Sequence, residues 1–494
     1  MELDGFIRKI KDIMKSDSGV NGDAQCVAQT AWLLFLWACG SPSERPDAGV
    51  KGIASAVPRK FRWDAWAACR RDGKTMTGDT LLDFVDNRLF PALRDLKTPG
   101  GALSANGVVK AAFMSARNYM KDGVLLRQVI DLIGGLDLSF RGVYHPMGSI
   151  YEGFLHGLGQ SSSLGEFYTP RPVTDFMARM TAPRLGERVA DFACGTGGFL
   201  SSALNELDGQ LKSAEDGRIR ERSVFGVEKS PVPHMLCLAN LLAHGISKPD
   251  VVLGDSLDGR IPGCRGDERF GVILMNPPYG GVRRPAAKAD VTGERLHAGD
   301  ALDGFLGLVM SRLSRCGRAA VLVPDGFMSG TGAVRTAVRQ AIVQKFDLHT
   351  VVRLPVSVFA PHTRIATNIL FFDGQRTVRT ATWFYRLDPP DGNGRFSRTR
   401  PMTPEHLVPI EEWWRSRKEL SPGGVPKARR YTGRELAARN FDLNLCGYDR
   451  ASEIVASPEE TIRQFRDERA CLLAKMTDAL DAIESLANGD GRSS

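Results

Sequence analysis

The chain has 494 residues, of which 43% are hydrophobic and 25% charged, with a formal net charge of +8. That length predicts two or three domains and a sizeable core, the composition is that of a soluble globular protein, and the charge suits a polyanionic partner. Nine cysteines without a C-x-x-C pair argue for a reducing cytosol and against structural zinc, and eight histidines without H-E-x-x-H leave no metal site expected.

The amino-terminal stretch MELDGFIRKIKDIM is amphipathic and mixed in charge, unlike a signal peptide. The longest apolar run, residues 31–39, is too short for a bilayer of about 30 Å, so no membrane partner is expected. Residues 1–145 read as a helical domain. Ile7, Ile10, Ile13 and Met14 recur at helical spacing. Residues 29–39 form a stronger apolar helix, and residues 81–96 and 124–136 give two more. Residues 59–74 carry six Lys or Arg with Trp63 and Trp66. They form either a nucleic-acid-facing patch or, as we favour, a solvated face over two half-buried aromatics. Residues 97–107, KTPGGALSANG, read as a loop.

Residues 146–390 read as a second domain. After YEGFLHG and a Ser/Gly stretch comes GEFYTPRP, where Thr169-Pro170-Arg171-Pro172 fixes an extended segment before a helix from about Val173. Phe167 and Tyr168 beside it either floor a pocket or pack under the helix. A strand at 188–193 runs into Cys194-Gly195-Thr196-Gly197-Gly198 and an apolar helix. Such glycines let a ligand approach the backbone at a helix start, and Asp191 adds a carboxylate. The next strand, 223–227, ends in Glu228, placed to take both hydroxyls of a ribose. Pro231 and Pro233 open a helix closed by Gly245. A third strand, 251–253, ends at Asp255, either an acceptor for an adenine amino group or a turn residue.

The fourth strand, 270–275, is nearly all apolar and reads as buried on both faces. It stops at Asn276-Pro277-Pro278-Tyr279. Prolines donate no ladder hydrogen bonds, so the corner is stiff. The Asn276 side-chain carbonyl and the Pro277 main-chain carbonyl can accept from one exocyclic NH2, and Tyr279 can stack on a planar ring. Without further context the same residues make an ordinary turn. Residues 280–300, with Arg283, Arg284, Lys288 and Arg295, are expected to be a mobile loop. Helices at 305–313 and 334–344 alternate with strands at 319–323, 348–354 and 368–372, and residues 381–385 suit an edge strand. This beat predicts a doubly wound, mostly parallel α/β sheet of seven strands. Residues 391–456 read as a linker with a helix around Trp413-Trp414. Residues 457–494 hold an amphipathic helix suited to docking a partner.

Taken in order, GEFYTPRP, DFACGTGGFL, GVEKS, NPPYGG and GRAAVLVPDG resemble the N6-adenine DNA methyltransferases. More closely, they resemble the modification subunit of type I restriction–modification systems. The helical start and ELAARNFDLNL at 435–445 extend the likeness. Phe192 stands where that family usually has proline and Tyr279 where it often has Phe; neither departure touches the chemistry. The resemblance implies S-adenosylmethionine as methyl donor. Its pocket would comprise Glu166, Phe167, Tyr168, Thr169, Pro170, Arg171, Asp191, Gly195, Thr196, Gly197, Gly198, Glu228 and Asp255. Asn276, Pro277, Pro278 and Tyr279 would hold an adenine flipped out of double-stranded DNA. It also implies a specificity subunit, a second modification subunit and a motor endonuclease as partners, in the cytoplasm. The chain has no G-x-x-x-x-G-K-[ST] loop, so it is not the motor. Three other readings stay open: a stand-alone DNA methyltransferase, a protein glutamine methyltransferase, and a silent cofactor-binding scaffold.

Overall fold

A computed structural model describes residues 3–40, 52–68, 75–99, 104–136, 169–258, 264, 268–279, 288–291, 294–297, 300–330, 332–359, 365–374, 381–389, 396–397 and 400–446. Residues 1–446 form one compact unit and 447–494 a second. The expected terminal helix, the 151–165 stretch, Glu166, Phe167 and Tyr168 lie outside the described residues. So does most of the 280–300 loop, although Lys288–Val291 and Glu294–His297 pair there as an antiparallel hairpin.

Nine strands form one sheet: β1 Val189–Asp191, β2 Val224–Glu228, β3 Val251–Leu253, β4 Phe270–Met275, β5 Leu313–Pro324, β6 Asp347–Arg353, β7 Thr367–Asp373, β8 Ala381–Arg386 and β9 Ala428–Thr432. Their order is β9-β8-β6-β7-β5-β4-β1-β2-β3. From β1 the chain winds outward through β2 and β3, then returns to β4 on the other side of β1 and continues to β5. The carboxyl ends of β1 and β4 thus meet at the point where winding reverses, the place where open α/β sheets bind ligands. Strands β3 to β5 across that point are parallel, whereas β7 runs antiparallel between β5 and β6.

The expectation of seven strands is corrected to nine. Strand β8, expected at the edge, pairs in parallel with β6, but β9 pairs antiparallel with it and takes the edge. These additions satisfy the backbone groups that an open β6 edge would leave bare. Strand β9 begins inside the stretch read as linker. Its sequence ARRYT buries only Ala428 and Tyr431 and exposes both arginines, so it lacks alternation.

The expected double-sided burial of β4 is clear in its side chains. Phe270, Ile273 and Met275 join one apolar core, Val272 and Leu274 the other. Helices cover both faces. They include α1 Leu3–Lys15, α2 Asp23–Gly40, α3 Ala105–Ser115, α4 Gly123–Gly134, α5 Arg171–Thr181, α6 Gly198–Asp208, α7 Ala214–Glu221, α8 Pro231–Ala243, α9 Ala301–Arg312, α10 Ala333–Gln344 and α11 Val408–Ser416. Between α2 and α3, residues 78–94 run as one helical rod whose middle, Phe84–Leu89, is wound as a π-helix.

The amino-terminal helices are not a satellite. Helix α2, apolar all round and buried from Cys26 to Cys39 apart from Ala28, packs against α8 of the sheet region. Its Trp32 and Leu34 belong to the same core as Val272 and Leu274 of β4. Backbone bonding reinforces the join, since Ile53 N–H donates to the Ser247 carbonyl at 2.9 Å. Trp63 and Trp66 are buried in that core rather than half-buried, while Arg59 and Lys60 face solvent; Arg70, Arg71 and Lys74 lie outside the described residues. Helix α3 overturns part of the expected 97–107 loop. The Ser104 hydroxyl accepts the Gly107 N–H at 3.1 Å, so the helix starts at Ala105.

Candidate active site

The corner after β4 has an unusual local chemistry. An asparagine side chain ordinarily bonds the backbone N–H two residues on, closing a small turn. Here the next two residues are Pro277 and Pro278, which have no N–H, so the Asn276 oxygen escapes local capture. It is met instead by the Tyr279 hydroxyl, which donates to Oδ1 at 2.7 Å. At the other end of the amide, Nδ2 donates to Thr169 Oγ1 at 2.9 Å. Burial pushes the Tyr279 phenol well above its ordinary pKa, so it remains a donor at any working pH. The corner therefore presents a fixed amide beside an aromatic ring.

Across the winding reversal lies the glycine turn. Gly195 has φ +53° and Gly197 φ +84°, both in the left-handed region. Among the described residues nothing lies within 4 Å of where a Gly195 Cβ would be, leaving room for a ligand against the backbone, whereas a Cβ on Gly197 would come within 2.8 Å of Cys237 Sγ. The turn is tied down on several sides. Cys194 N–H donates to the Val227 carbonyl at 3.0 Å, and Gly197 N–H to the Cys194 carbonyl at 2.8 Å. Asn240, fully buried on α8, donates from Nδ2 to the Thr196 carbonyl at 3.0 Å. The Ser256 hydroxyl reaches the Phe192 carbonyl at 2.6 Å. Arg171 rests on the start of α6, its guanidinium 2.7 Å from where a Gly198 Cβ would lie.

Three acids surround this turn. Glu228, at the tip of β2, accepts Gly195 N–H at 2.9 Å on one oxygen and Ser230 N–H at 2.6 Å on the other. Gly254 N–H donates to the Glu228 carbonyl at 2.8 Å, which brings Asp255 alongside. Asp255 accepts from Leu257 N–H at 3.0 Å and from Lys229 Nζ at 2.9 Å. Asp191 is 1% exposed, and only its Oδ1 is bonded, to Ala193 N–H at 3.0 Å. Its Oδ2 has no donor among the described residues. Burial pushes the Asp191 carboxyl up to about 8, opposed by the Ala193 N–H and reinforced by the nearby charge of Glu228. A buried acceptor of this kind fits a ligand that brings a cation or a hydrogen-bond donor. With the ribose-type carboxylate of Glu228 and the open glycine turn, the residues present fit a nucleoside carrying a charged amine.

Asp191, Gly195, Thr196, Gly197, Gly198, Glu228 and Asp255 are thus gathered around one turn, and Arg171 touches its helix. Thr169 does not stand with them alone: its hydroxyl is spent on Asn276. Asn240, Ser256 and Ser230 hold the turn and were not singled out by sequence, because a buried Asn in an apolar helix or a Ser in a loop has no local signature. Farther along the rim, Asp325 after β5 pairs with Arg353 of β6 and accepts from Asn368 Nδ2 of β7 at 2.7 Å. Arg353 also donates to Asn444 Oδ1 at 2.6 Å. Among the described residues no group of three or more His, Cys, Asp or Glu is placed to hold a metal ion, and no helix is long and apolar enough to cross a membrane.

Residues 143–456 match the protein family described as N-6 DNA methylase. The chain is 38% identical over 474 residues to the EcoEI type I restriction enzyme methylase subunit of Escherichia coli, covering 95% of each chain. Its fold is similar to the crystal structure of a type I modification subunit from Vibrio vulnificus YJ016, with a TM-score of 0.74, 31% identity, and coverage of 92% of this chain and 98% of that one. A chain from a structure of type I R-M complex assembly and conformational transition is also similar. Its TM-score is 0.74 and its identity 30%, covering 98% of this chain and 99% of the other.

Proposed function

This chain belongs to the N-6 DNA methylase family, and from that premise we propose how its own residues carry the reaction and which partners it serves. It is an adenine-specific DNA methyltransferase and a homologue of type I methylase subunits. Its methyl donor is S-adenosylmethionine, which supplies an electrophilic methyl group on a charged sulfur when bound.

The reaction needs one nitrogen held in line with that methyl group. Asn276 Oδ1 and the Pro277 carbonyl accept the two hydrogens of the adenine amine, turning its lone pair toward the donor. Fixed acceptors also stabilise the positive charge that develops on the nitrogen, without reorganisation. Tyr279 stacks on the flipped base, and Pro278 keeps the corner stiff. On the donor side, Glu228 takes the ribose hydroxyls and Asp255 the adenine amino group. Asp191 Oδ2 takes the ammonium, and Gly195 to Gly198 give the backbone room. Glu166, Phe167, Tyr168, Thr169, Pro170 and Arg171 border the pocket. The single observation that carries this reading is the meeting of two acceptor sets, around Asn276 and around Asp191, at the carboxyl ends of adjacent strands β4 and β1.

Base reading in a groove requires surfaces this compact unit devotes elsewhere, so a specificity subunit supplies it. Residues 1–145 contact subunits and DNA, residues 146–390 carry the chemistry, residues 391–456 are a linker with small elements, of which β9 completes the sheet, and residues 457–494 dock a partner. A second modification subunit and a motor endonuclease complete a cytoplasmic complex on double-stranded DNA. The test is to map N6-methylated adenines across the host genome with and without this chain. The reading expects a defined set of sites to lose methylation; an unchanged map, or tritiated methyl label on protein rather than DNA, would overturn it.

A further inference from the structure

We propose that Thr169 is a positioning residue for the base-binding amide, holding Asn276 so that its oxygen, not its nitrogen, meets the target amine. The proposal deepens the function above and rests on Asn276 as the base acceptor. A primary amide offers a carbonyl oxygen on one side and NH2 on the other, with nearly the same shape. Only the oxygen can accept from an exocyclic amine; the nitrogen would set donor against donor. The orientation is therefore set jointly by a donor for the oxygen and an acceptor for the NH2.

That acceptor is Thr169 Oγ1, 2.9 Å from Asn276 Nδ2 and 107 positions away in the chain. It is held stiffly. Thr169 precedes Pro170 and stands just before α5, and the Pro170 carbonyl accepts the N–H groups of Val173 at 2.9 Å and Thr174 at 3.1 Å. Helix α5 in turn buries Val173 and Phe176 in the core shared with the sheet. The acceptor is thereby fixed to the same body as β4. Opposite it, Tyr279 uses one lone pair of Asn276 Oδ1, leaving the other for the incoming N–H. With Thr169 as a hydrocarbon, the NH2 would lose its acceptor and only the Tyr279 hydroxyl, which can accept as well as donate, would hold the amide, so the productive face would no longer be enforced.

The experiment uses the complete methyltransferase with its partner subunits and unmethylated genomic DNA, comparing Thr169→Val with Thr169→Ser. Thr169→Val is expected to lower kcat roughly 10- to 100-fold while the Kd for S-adenosylmethionine stays within about 3-fold. Thr169→Ser, which keeps the hydroxyl, is expected to restore kcat to within about 3-fold of wild type. A Thr169→Val enzyme with wild-type kcat would overturn the proposal. So would a loss of donor affinity as large as the loss of kcat, because Thr169 would then act on the donor pocket. If Thr169→Val melts at a markedly lower temperature, Thr169→Ala, which adds no bulk, is read by the same split between kcat and Kd. Methyl transfer persisting in Asn276→Ala would instead remove the base-acceptor role itself.

Discussion

Glu228 at the tip of β2 grips the Gly195 N–H of the turn after β1 at 2.9 Å, while its second oxygen holds the Ser230 N–H before α8. One carboxylate thus binds together the glycine turn, a strand end and a helix start. The side chain that would take the ribose is also the one that shapes the turn.

Replacing Glu228 by Gln tests this double duty. The Gln side chain keeps one acceptor, but its NH2 must face one of the two backbone N–H groups. The expected result is a Kd for S-adenosylmethionine weakened about 10-fold or more, with a small fall in melting temperature. Titration calorimetry reads the first and a thermal melt the second.

On the proposed role of Asp191, its buried carboxyl should make donor binding pH-dependent. Its folded pKa is raised from 3.8 to about 8 by burial, so the folded state holds a proton that the unfolded state releases. The unfolding free energy contributed by this group therefore falls as pH rises from about 4 to about 8. Asp191→Asn should melt a few degrees above wild type at pH 8, the gain vanishing near pH 4. Binding a cationic donor ionises Asp191, so at pH 7 it should release up to about one proton in wild type and none in Asp191→Asn. Calorimetry in buffers of different ionisation enthalpy measures it.

Asn276→Ala separates chemistry from donor binding. It should lower methyl transfer by about 10³-fold or more while leaving S-adenosylmethionine affinity largely intact. Loss of affinity in a folded protein would count against the assigned role.

Tyr279 offers two graded tests. Tyr279→Phe keeps the ring and removes the hydroxyl bond to Asn276, and should leave kcat within about 5-fold, since Thr169 still anchors the amide. Tyr279→Ala loses the stacking surface, and the KM for DNA or kcat should worsen by roughly 5- to 100-fold. Single-turnover assays distinguish the two.

The shared core predicts that the amino-terminal helices cannot be removed. Cutting away residues 1–136 bares the α8 surface on which α2 sits, and the remainder should be insoluble. Leu34→Ala should cost about 2–5 kcal/mol of stability. Because Leu34 and β4 share one core, probes on the amino-terminal helices and on the sheet should report coincident urea transitions.

Much of this architecture is legible in the chain. The apolar run from Phe270 to Met275 announces a strand buried on both faces, and Asp191, the glycine turn and Glu228 announce strand ends that gather around one turn, because these are local patterns. Strand β9 is not legible, since ARRYT owes its place to pairing with β8 rather than to its own alternation. Helix α3 hides behind a run of Gly and Ala that resembles loop. Thr169 reads as part of a pocket lining, and nothing nearby reveals its bond to an asparagine 107 positions on. Asn240 hides inside an apolar helix for the same reason: long-range pairing leaves no trace in spacing.

Strand β7 enters the sheet against the direction of its neighbours, so its first residues, Thr367 and Asn368, arrive on the rim where β5 and β6 end. Elsewhere that rim is built from loops that must lead into crossover helices, and any change there disturbs how a helix seats. β7 begins on this rim instead of ending there, so it leads into no helix at this point. Thr367 and Asn368 are fully buried there, and Asn368 donates to Asp325, which also pairs with Arg353, so this one arrival point clasps the ends of three strands and a change in it would loosen all of them together.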